Sequence, residues 1–153
     1  MGDVAELPPP GVVLVEDGEA GPFAETVRSG AHVLPADEPA ANGGNDTGPD
    51  PYAYLLAALG ACTAMTLRMY ARQKKWPLQK VRVVLKHDKV YASDCATCET
   101  KEGKIDHIER WIELDGPLSD EQQKRLLEIA DRCPVHRTLT SEIAITTRLE
   151  DAR

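Results

Sequence analysis

The sequence is poor in aromatic residues and has no concentrated positive charge. Only 5% of its 153 residues are aromatic, with a single Phe, so the core must consist of Leu, Ile, Val, Ala and Met. The formal net charge of −7 argues against binding to a nucleic-acid backbone, which requires clustered cations. We find no internal repeats, phosphate loop, dinucleotide fingerprint or Ser-His-acid set. These absences favour a small globular protein that does not bind nucleic acid.

The amino-terminal segment lacks the basic and apolar regions of a secretory signal. Residues 1–10 are polar and rich in proline, which predicts a flexible lead-in before a single domain over residues 11–153. The chain holds four cysteines. Without a signal, we expect them to serve as thiols, redox pairs or metal ligands in a reducing, cytoplasmic compartment.

The longest apolar run covers residues 52–71, and Cys62 stands at its middle. No charged residue occurs between Ala53 and Leu67. A helix that is apolar on all sides must be buried on all sides. The uninterrupted run is shorter than the roughly 20 residues of a membrane span. We therefore predict the central helix of a soluble domain, with no membrane contact. The Cys62 thiol in or near its core is either a packing residue or a nucleophile.

Hydrophobic alternation and turn residues divide the rest of the chain. Strands are predicted over residues 11–16, 81–91, 105–114 and 143–149, with two short strands within 23–34. A long loop over residues 35–51 ends in Asp50 and Pro51, which are suited to the N-cap and first position of the central helix. A second helix begins at Ser119 and breaks at Cys133-Pro134, and its predicted apolar face comprises Leu126, Leu127, Ile129 and Ala130. This order of elements predicts an α+β fold.

Two segments together resemble the OsmC/Ohr family of osmotically inducible and organic-hydroperoxide-resistance proteins, and most closely its OsmC-like branch. They are TGPDPYAYLLAALGACTAMTLRMYA, residues 47–71, and LLEIADRCPVHRTL, residues 126–139. The resemblance extends over nearly the whole chain from about Gly21. It implies an intertwined homodimer in which antiparallel sheets wrap around two central helices. Such a dimer would cover a helix that is apolar on every side.

The resemblance also implies chemistry. Characterised relatives reduce organic hydroperoxides with two cysteines, which are matched here by Cys62 and Cys133. Cys62 would attack the peroxide and become a sulfenic acid, and Cys133 would resolve it to a disulfide. A dithiol reductant such as a lipoyl protein would then restore both thiols. No cofactor or metal is implied.

The sequence departs from the family pattern near Cys62. Tyr52 stands where the peroxidases carry a glutamate, and Ala53 stands where the OsmC-like branch often has an acid. No arginine precedes Arg28 in the amino-terminal strands. Asp50 is a candidate for the missing acid. Candidates for the missing cation are Arg28, Arg137 or a partner-chain residue. The alternative function is therefore a non-catalytic OsmC-fold dimer that acts as a redox sensor or binds an apolar ligand.

A second thiol motif, Cys95-x-x-Cys98, lies in a predicted polar loop. Two thiols at this spacing either chelate zinc, with histidines as further ligands, or form a reversible disulfide. The available histidines are His87, His107 and His136. His136, three residues after Cys133, is alternatively a capping or interface histidine, or a cation that activates a thiol.

Overall fold

The computed structural model describes residues 7–150. The chain divides into two compact units, the first ending at Leu55 and the second beginning at Leu56. The predicted lead-in over residues 1–10 lies largely outside the described residues, and the prediction of a single domain over 11–153 stays a prediction.

The first unit contains a three-stranded antiparallel sheet. Its strands β1 (Leu14–Asp17), β2 (Glu25–Ser29) and β3 (His32–Ala36) pair in chain order. Gly30 lies in the two-residue turn that joins β2 to β3, and its φ of +55° falls in the left-handed region that glycine adopts at no steric cost. The predicted first strand and the following pair are confirmed, each displaced by a few residues toward the carboxyl terminus.

A buried carboxylate organises the long loop after β3. Asp37 is 2% exposed and accepts backbone N–H bonds from Glu38 at 2.8 Å, Asn45 at 3.2 Å and Thr47 at 3.1 Å. The Thr47 hydroxyl donates a further bond at 2.7 Å. This hydroxyl, ahead of the backbone N–H groups, holds the pKa of the Asp37 carboxyl below its usual value. One side chain therefore fixes the course of the loop, which contains a single 3-10 turn, Ala40–Asn42.

The start of the central helix α1 (Pro51–Lys74) is as the sequence predicts. The Asp50 carboxylate accepts the Ala53 N–H at 2.8 Å, which is the hydrogen bond of an N-cap. Pro51 occupies the first helical position, where its missing N–H costs nothing. Lys75 follows the helix with a φ of +57°, in the left-handed region, and α1 ends there.

The second unit adds a hairpin and two helices to α1. Strands β4 (Lys80–Tyr91) and β5 (Lys104–Asp115) pair antiparallel along their whole length. Helix α2 (Asp120–Ala130) begins at Ser119, whose side chain and backbone form a capping box. Helix α3 (Pro134–Leu139) follows after a short break. The strands and the second helix predicted for this region are confirmed, as is the break at Cys133-Pro134.

The core of the second unit forms between α1, α2 and the hairpin. Its buried residues are Leu67, Ala71, Leu78, Leu126, Ile129 and Ala130. Leu67 and Leu126 are fully buried, and each such side chain stabilises the fold by about 1.5–3 kcal/mol. Leu127 was predicted to share this apolar face but is 51% exposed. The prediction is wrong because adjacent helical residues point about 100° apart, so Leu127 faces away when Leu126 faces the core.

Within residues 7–150, the buried side chains of helix α1 lie along one face. Its buried residues recur at every fourth position, at Leu59, Thr63, Leu67 and Ala71. Met65 and Met69, on another face, are 65% and 71% exposed. At 24 residues, α1 extends beyond both ends of the apolar run over residues 52–71, and by length and composition it is the one helix within residues 7–150 that could cross a membrane. The core helix of a soluble protein meets the same criteria.

The strand predicted over residues 143–149 is not formed. This segment has no regular secondary structure and is exposed, with Ile145 at 86% and Leu149 at 97%. A strand requires hydrogen bonds to a neighbouring strand, and this segment forms no such ladder with the described part of the chain. The alternating pattern was real, but alternation alone cannot supply a pairing partner.

Candidate active site

The second unit carries two free thiols, Cys62 and Cys133. Cys62 lies at the middle of α1 and is partly exposed, whereas Cys133 is fully buried. Cys133 is the N-cap of α3, where its Sγ accepts the N–H of His136 at 3.2 Å. Pro134 occupies the first position of α3. The break predicted at Cys133-Pro134 therefore positions the sulfur, since it turns the thiol toward the start of the new helix.

Thr63, the residue that follows Cys62 in α1, contacts Cys133. It follows Cys62 in α1, so the Cα atoms of these two residues are about 3.8 Å apart. Its Oγ1 lies 3.9 Å from Cys133 Sγ. Thr63 is fully buried, and its hydroxyl donates to the carbonyl oxygen of Leu59 at 2.7 Å. Cys133 is thus in contact with the residue that follows Cys62, and the pairing of the two cysteines stays a prediction.

Arg110 brings a positive charge to the same place. Its side chain is 11% exposed. Nη1 donates to Thr63 Oγ1 at 3.0 Å, and Nη2 donates to Asp131 Oδ1 at 2.7 Å. Because Thr63 directs its own proton to Leu59, its oxygen is available to accept from Arg110. We call Thr63, Arg110, Asp131 and Cys133 the Arg110 network.

His136 contacts this network by its backbone and its ring. The backbone N–H binds Cys133 Sγ, as described above, and ring Nδ1 lies 4.0 Å from Asp131 Oδ1. The ring therefore faces the carboxylate that pairs with Arg110. Of the two roles that the sequence left open for His136, the geometry favours the structural one, because the sulfur is contacted by the backbone.

Sequence reasoning missed Arg110, although a signal was present. Arg110 occupies the same row of β5 as Ile112 and Leu114, whose side chains pack against the core. An arginine in an apolar row must bury part of its charge and therefore needs polar partners. Those partners, Thr63 and Asp131, come from α1 and from the end of α2. Only the tertiary structure could identify them.

The groups that the sequence offered as replacements for the acid and the arginine make other contacts. Asp50 caps α1, and Arg28 pairs with Glu16 across β1 and β2 at 3.3 Å. Arg137 is exposed on α3, and Tyr52 is 51% exposed. Among residues 7–150, Arg110 is the cation found in contact with Thr63.

A groove of about 390 Å³ opens beside the Arg110 network. Its lining includes apolar side chains from α1, β5 and α3 together with the charged end of the network. The principal residues are Leu59, Ile108, Arg110, Asp131, His136 and Leu139. An apolar wall with a few convergent polar groups suits a small molecule that has both a hydrocarbon part and polar oxygen atoms.

The Cys95-x-x-Cys98 motif forms a disulfide in the loop between β4 and β5. Zinc would require both sulfurs as thiolates, so the bond excludes the zinc alternative for this state of the protein. Of the two interpretations left open by the sequence, the structure corresponds to the disulfide.

Another group of side chains could hold a metal ion by spacing alone. The ligand atoms of Asp88, His107 and Glu109 lie within 4.8 Å of one another on the surface of the hairpin. Asp88 is already bound by His107 at 3.1 Å and by Lys86 at 3.2 Å. These contacts, that of His107 first, hold the pKa of the Asp88 carboxyl below its usual value. The carboxylate is therefore neutralised by protein groups.

The order of strands and helices defines an α+β protein. A family model described as "OsmC-like protein" matches residues 43–148, which is more than half of the chain. The chain belongs to the OsmC-like family. No curated protein matches the sequence.

Solved structures agree with this assignment at the level of the fold. An OsmC-like protein from Mycoplasma pneumoniae superposes with a TM-score of 0.64 and 23% identity, covering 84% of this chain and 85% of that one. An organic hydroperoxide resistance protein OsmC from Legionella pneumophila superposes with a TM-score of 0.60 and 20% identity, covering 84% of this chain and 88% of that one. The organic hydroperoxide resistance protein OhrB of Bacillus subtilis superposes with a TM-score of 0.57 and 20% identity, covering 84% of this chain and 89% of that one.

These findings confirm the family and the α+β fold with antiparallel sheets and central helices. They also identify the long apolar helix α1 as part of a soluble OsmC-like fold.

Proposed function

We propose that the protein is a thiol peroxidase that reduces organic hydroperoxides, with Cys62 as the nucleophile and Cys133 as the resolving cysteine. The observation that carries this proposal is the 3.9 Å contact between Cys133 Sγ and the Oγ1 atom of Thr63, the residue that follows Cys62 in α1. Family membership supports the reaction class, since structural relatives are named organic hydroperoxide resistance proteins. The burial of the two thiols differs, since Cys62 is partly exposed within one chain and Cys133 is fully buried.

The reaction would proceed in three balanced steps. The Cys62 thiolate attacks one peroxide oxygen, the O–O bond breaks, and Cys62 becomes a sulfenic acid. The rest of the hydroperoxide leaves as an alkoxide and takes a proton to become an alcohol. Cys133 then attacks the Cys62 sulfur, and a disulfide forms with loss of water. A dithiol then reduces this disulfide by exchange and itself becomes a disulfide. We propose that this takes place in the cytoplasm.

Arg110 would supply a positive charge close to the resolving cysteine, Cys133, through its contact with Thr63. Its guanidinium is largely buried and is fixed by two hydrogen bonds, to Thr63 and to Asp131. A cation near a sulfur favours the thiolate over the thiol. Arg110 acts through Thr63 in this proposal, so it is a positioning residue.

Exposure of the reduced protein to one equivalent of an organic hydroperoxide tests the proposal. We expect the loss of two thiols and the appearance of a Cys62–Cys133 crosslink, located by mass spectrometry after alkylation and digestion. Hydrogen peroxide at the same concentration serves as the control for selectivity. If both thiols remain after treatment, the protein is not a peroxidase, and the non-catalytic alternative, favoured by Tyr52 and Ala53, would replace it.

We also propose that the active form is a homodimer in which a second copy covers α1. Support comes from the exposed face of this helix, where Met65 and Met69 lie open. An apolar groove of about 610 Å³ adjoins that face and is lined in part by Thr66, Met69 and Ile129. The family resemblance points to the same assembly.

Substitution of Met69 by glutamate is expected to convert the dimer into monomers at micromolar concentration, because a buried unpaired charge at an interface is strongly unfavourable. Sedimentation velocity would measure the shift from twice 16.7 kDa to the mass of one chain. Leu127→Glu is the matched control, since Leu127 is an exposed leucine on α2. A wild-type protein that sediments as a monomer would contradict the proposed assembly.

A further inference from the structure

We propose that the Cys95–Cys98 disulfide is a second thiol–disulfide exchange site, opened by external dithiols independently of Cys62 and Cys133. The bridge spans three sequence positions in the loop between β4 and β5, with a Cα–Cα distance of 5.4 Å. The reaction of Cys62 and Cys133 proposed above does not use it.

The loop does not need this bridge to stay closed. β4 and β5 remain paired as far as Tyr91 and Lys104, and beyond that pair the Ala92 N–H donates to the Gly103 oxygen at 2.8 Å. The stabilisation that a disulfide provides grows with the length of the loop it closes. A bridge over three positions, inside a loop that is already closed by backbone hydrogen bonds, contributes little. Its presence therefore indicates chemistry rather than stability.

The disulfide is accessible. Both cysteines are partly exposed, and the residues between them, Ala96 and Thr97, are exposed. A groove of about 370 Å³ reaches both cysteines, with Ile105 and His107 of β5 among its lining residues. An attacking thiolate must reach one sulfur directly, and this groove gives it an approach.

Lys101 makes the two sulfurs unequal. Its Nζ donates to the carbonyl oxygen of Cys98 at 2.6 Å, so an ammonium group is held on that residue. A positive charge beside a sulfur favours its thiolate form. Because this charge is bound to the backbone of Cys98 and not to that of Cys95, the proposal takes Cys98 as the leaving thiolate and Cys95 as the sulfur that the reductant attacks.

The exchange balances without any other reactant. A thiolate of the dithiol attacks Cys95 Sγ, the bond to Cys98 breaks, and Cys98 leaves as a thiolate that takes a proton. The second thiol of the reductant then attacks the mixed disulfide and releases Cys95. Two electrons and two protons pass to the cysteine pair, and the dithiol becomes a disulfide.

Native thiol trapping tests this assignment. The intact protein is equilibrated in glutathione buffers of graded ratio, quenched with acid, alkylated and digested with trypsin. Trypsin places Cys95 and Cys98 in one peptide, residues 90–101, while Cys62 and Cys133 fall in separate peptides. We expect the fraction of open Cys95–Cys98 to pass reversibly from about one tenth to nine tenths across these buffers, with unchanged circular dichroism.

Charge variants test the role of Lys101. Lys101→Gln is expected to slow the opening by dithiothreitol several-fold. Lys80→Gln removes the same charge at the far end of the hairpin, where Lys80 pairs with Asp115, and is expected to have no effect. The assignment is overturned if the bridge opens only in denaturant, or if opening unfolds the hairpin. Equal slowing by both variants would overturn the role given to Lys101.

Discussion

Replacement of Cys62 by serine is expected to abolish the consumption of organic hydroperoxide, with a loss of about 10³-fold or more. Serine keeps the size of the side chain but provides no thiolate, and the sulfenic acid cannot form. Cys62 is only partly buried in α1, so the variant should fold normally. The measurement is peroxide consumption with a dithiol reductant in excess.

The matched controls are other cysteines of the same chain. Cys133→Ser should still react once with the hydroperoxide and then accumulate a Cys62 sulfenic acid, which a dimedone-type reagent traps. Serine is a preferred N-cap residue, so this variant retains the cap of α3. The Cys95→Ser, Cys98→Ser double variant should consume peroxide as the wild type does. Equal turnover by wild type and Cys62→Ser would rule out the proposed nucleophile.

Substitution of Arg110 by alanine is expected to slow formation of the Cys62–Cys133 disulfide by about 10²-fold. Loss of one fixed electrostatic group in an active site costs an enzyme rate on this scale. The guanidinium that binds Thr63, beside the Cys133 sulfur, is removed, and with it the charge that favours a thiolate. Rapid quenching with a thiol-blocking reagent would measure the fraction of disulfide against time.

A merely structural role for Arg110 would lower stability without separating the two chemical steps. We therefore expect sulfenic acid to accumulate in Arg110→Ala even though Cys133 is present, and Arg110→Lys to recover part of the rate. Arg82→Ala is the matched control, because Arg82 forms an exposed pair with Glu113 on the same hairpin. An unchanged rate of disulfide formation in Arg110→Ala would contradict the assigned role.

The elements that the sequence predicted well are those with local signals. Asp50 and Pro51 mark the start of α1, and the Ser119 capping box marks the start of α2, because capping is decided within a few residues. Strand alternation predicted β4 and β5 for the same reason. The cysteine pair came from a family resemblance, and the family itself is confirmed.

The failures concern contacts between distant parts of the chain. The segment over residues 143–149 has the alternation of a strand, but no local signal tells whether an edge is available to pair with it. Arg110 looks like one charged residue among several in β5, and only the approach of α1 and α2 gives it partners. The prediction that Leu127 is buried failed for a different reason. Leu127 lies at the border of an apolar face, and packing decides where the centre of that face lies.

Because the N-cap of α3 is the Cys133 sulfur, oxidation of Cys133 would affect the stability of this helix. The Cys133 sulfur accepts the His136 N–H in the reduced protein. In the proposed disulfide the same sulfur would also be bonded to Cys62, which would change its position as an acceptor. Loss of an N-cap acceptor costs a helix about 0.5–2 kcal/mol, and α3 is only six residues long, with no buried side chain. Oxidation would then weaken the cap of a helix that forms one wall of the groove, where Leu139 lies.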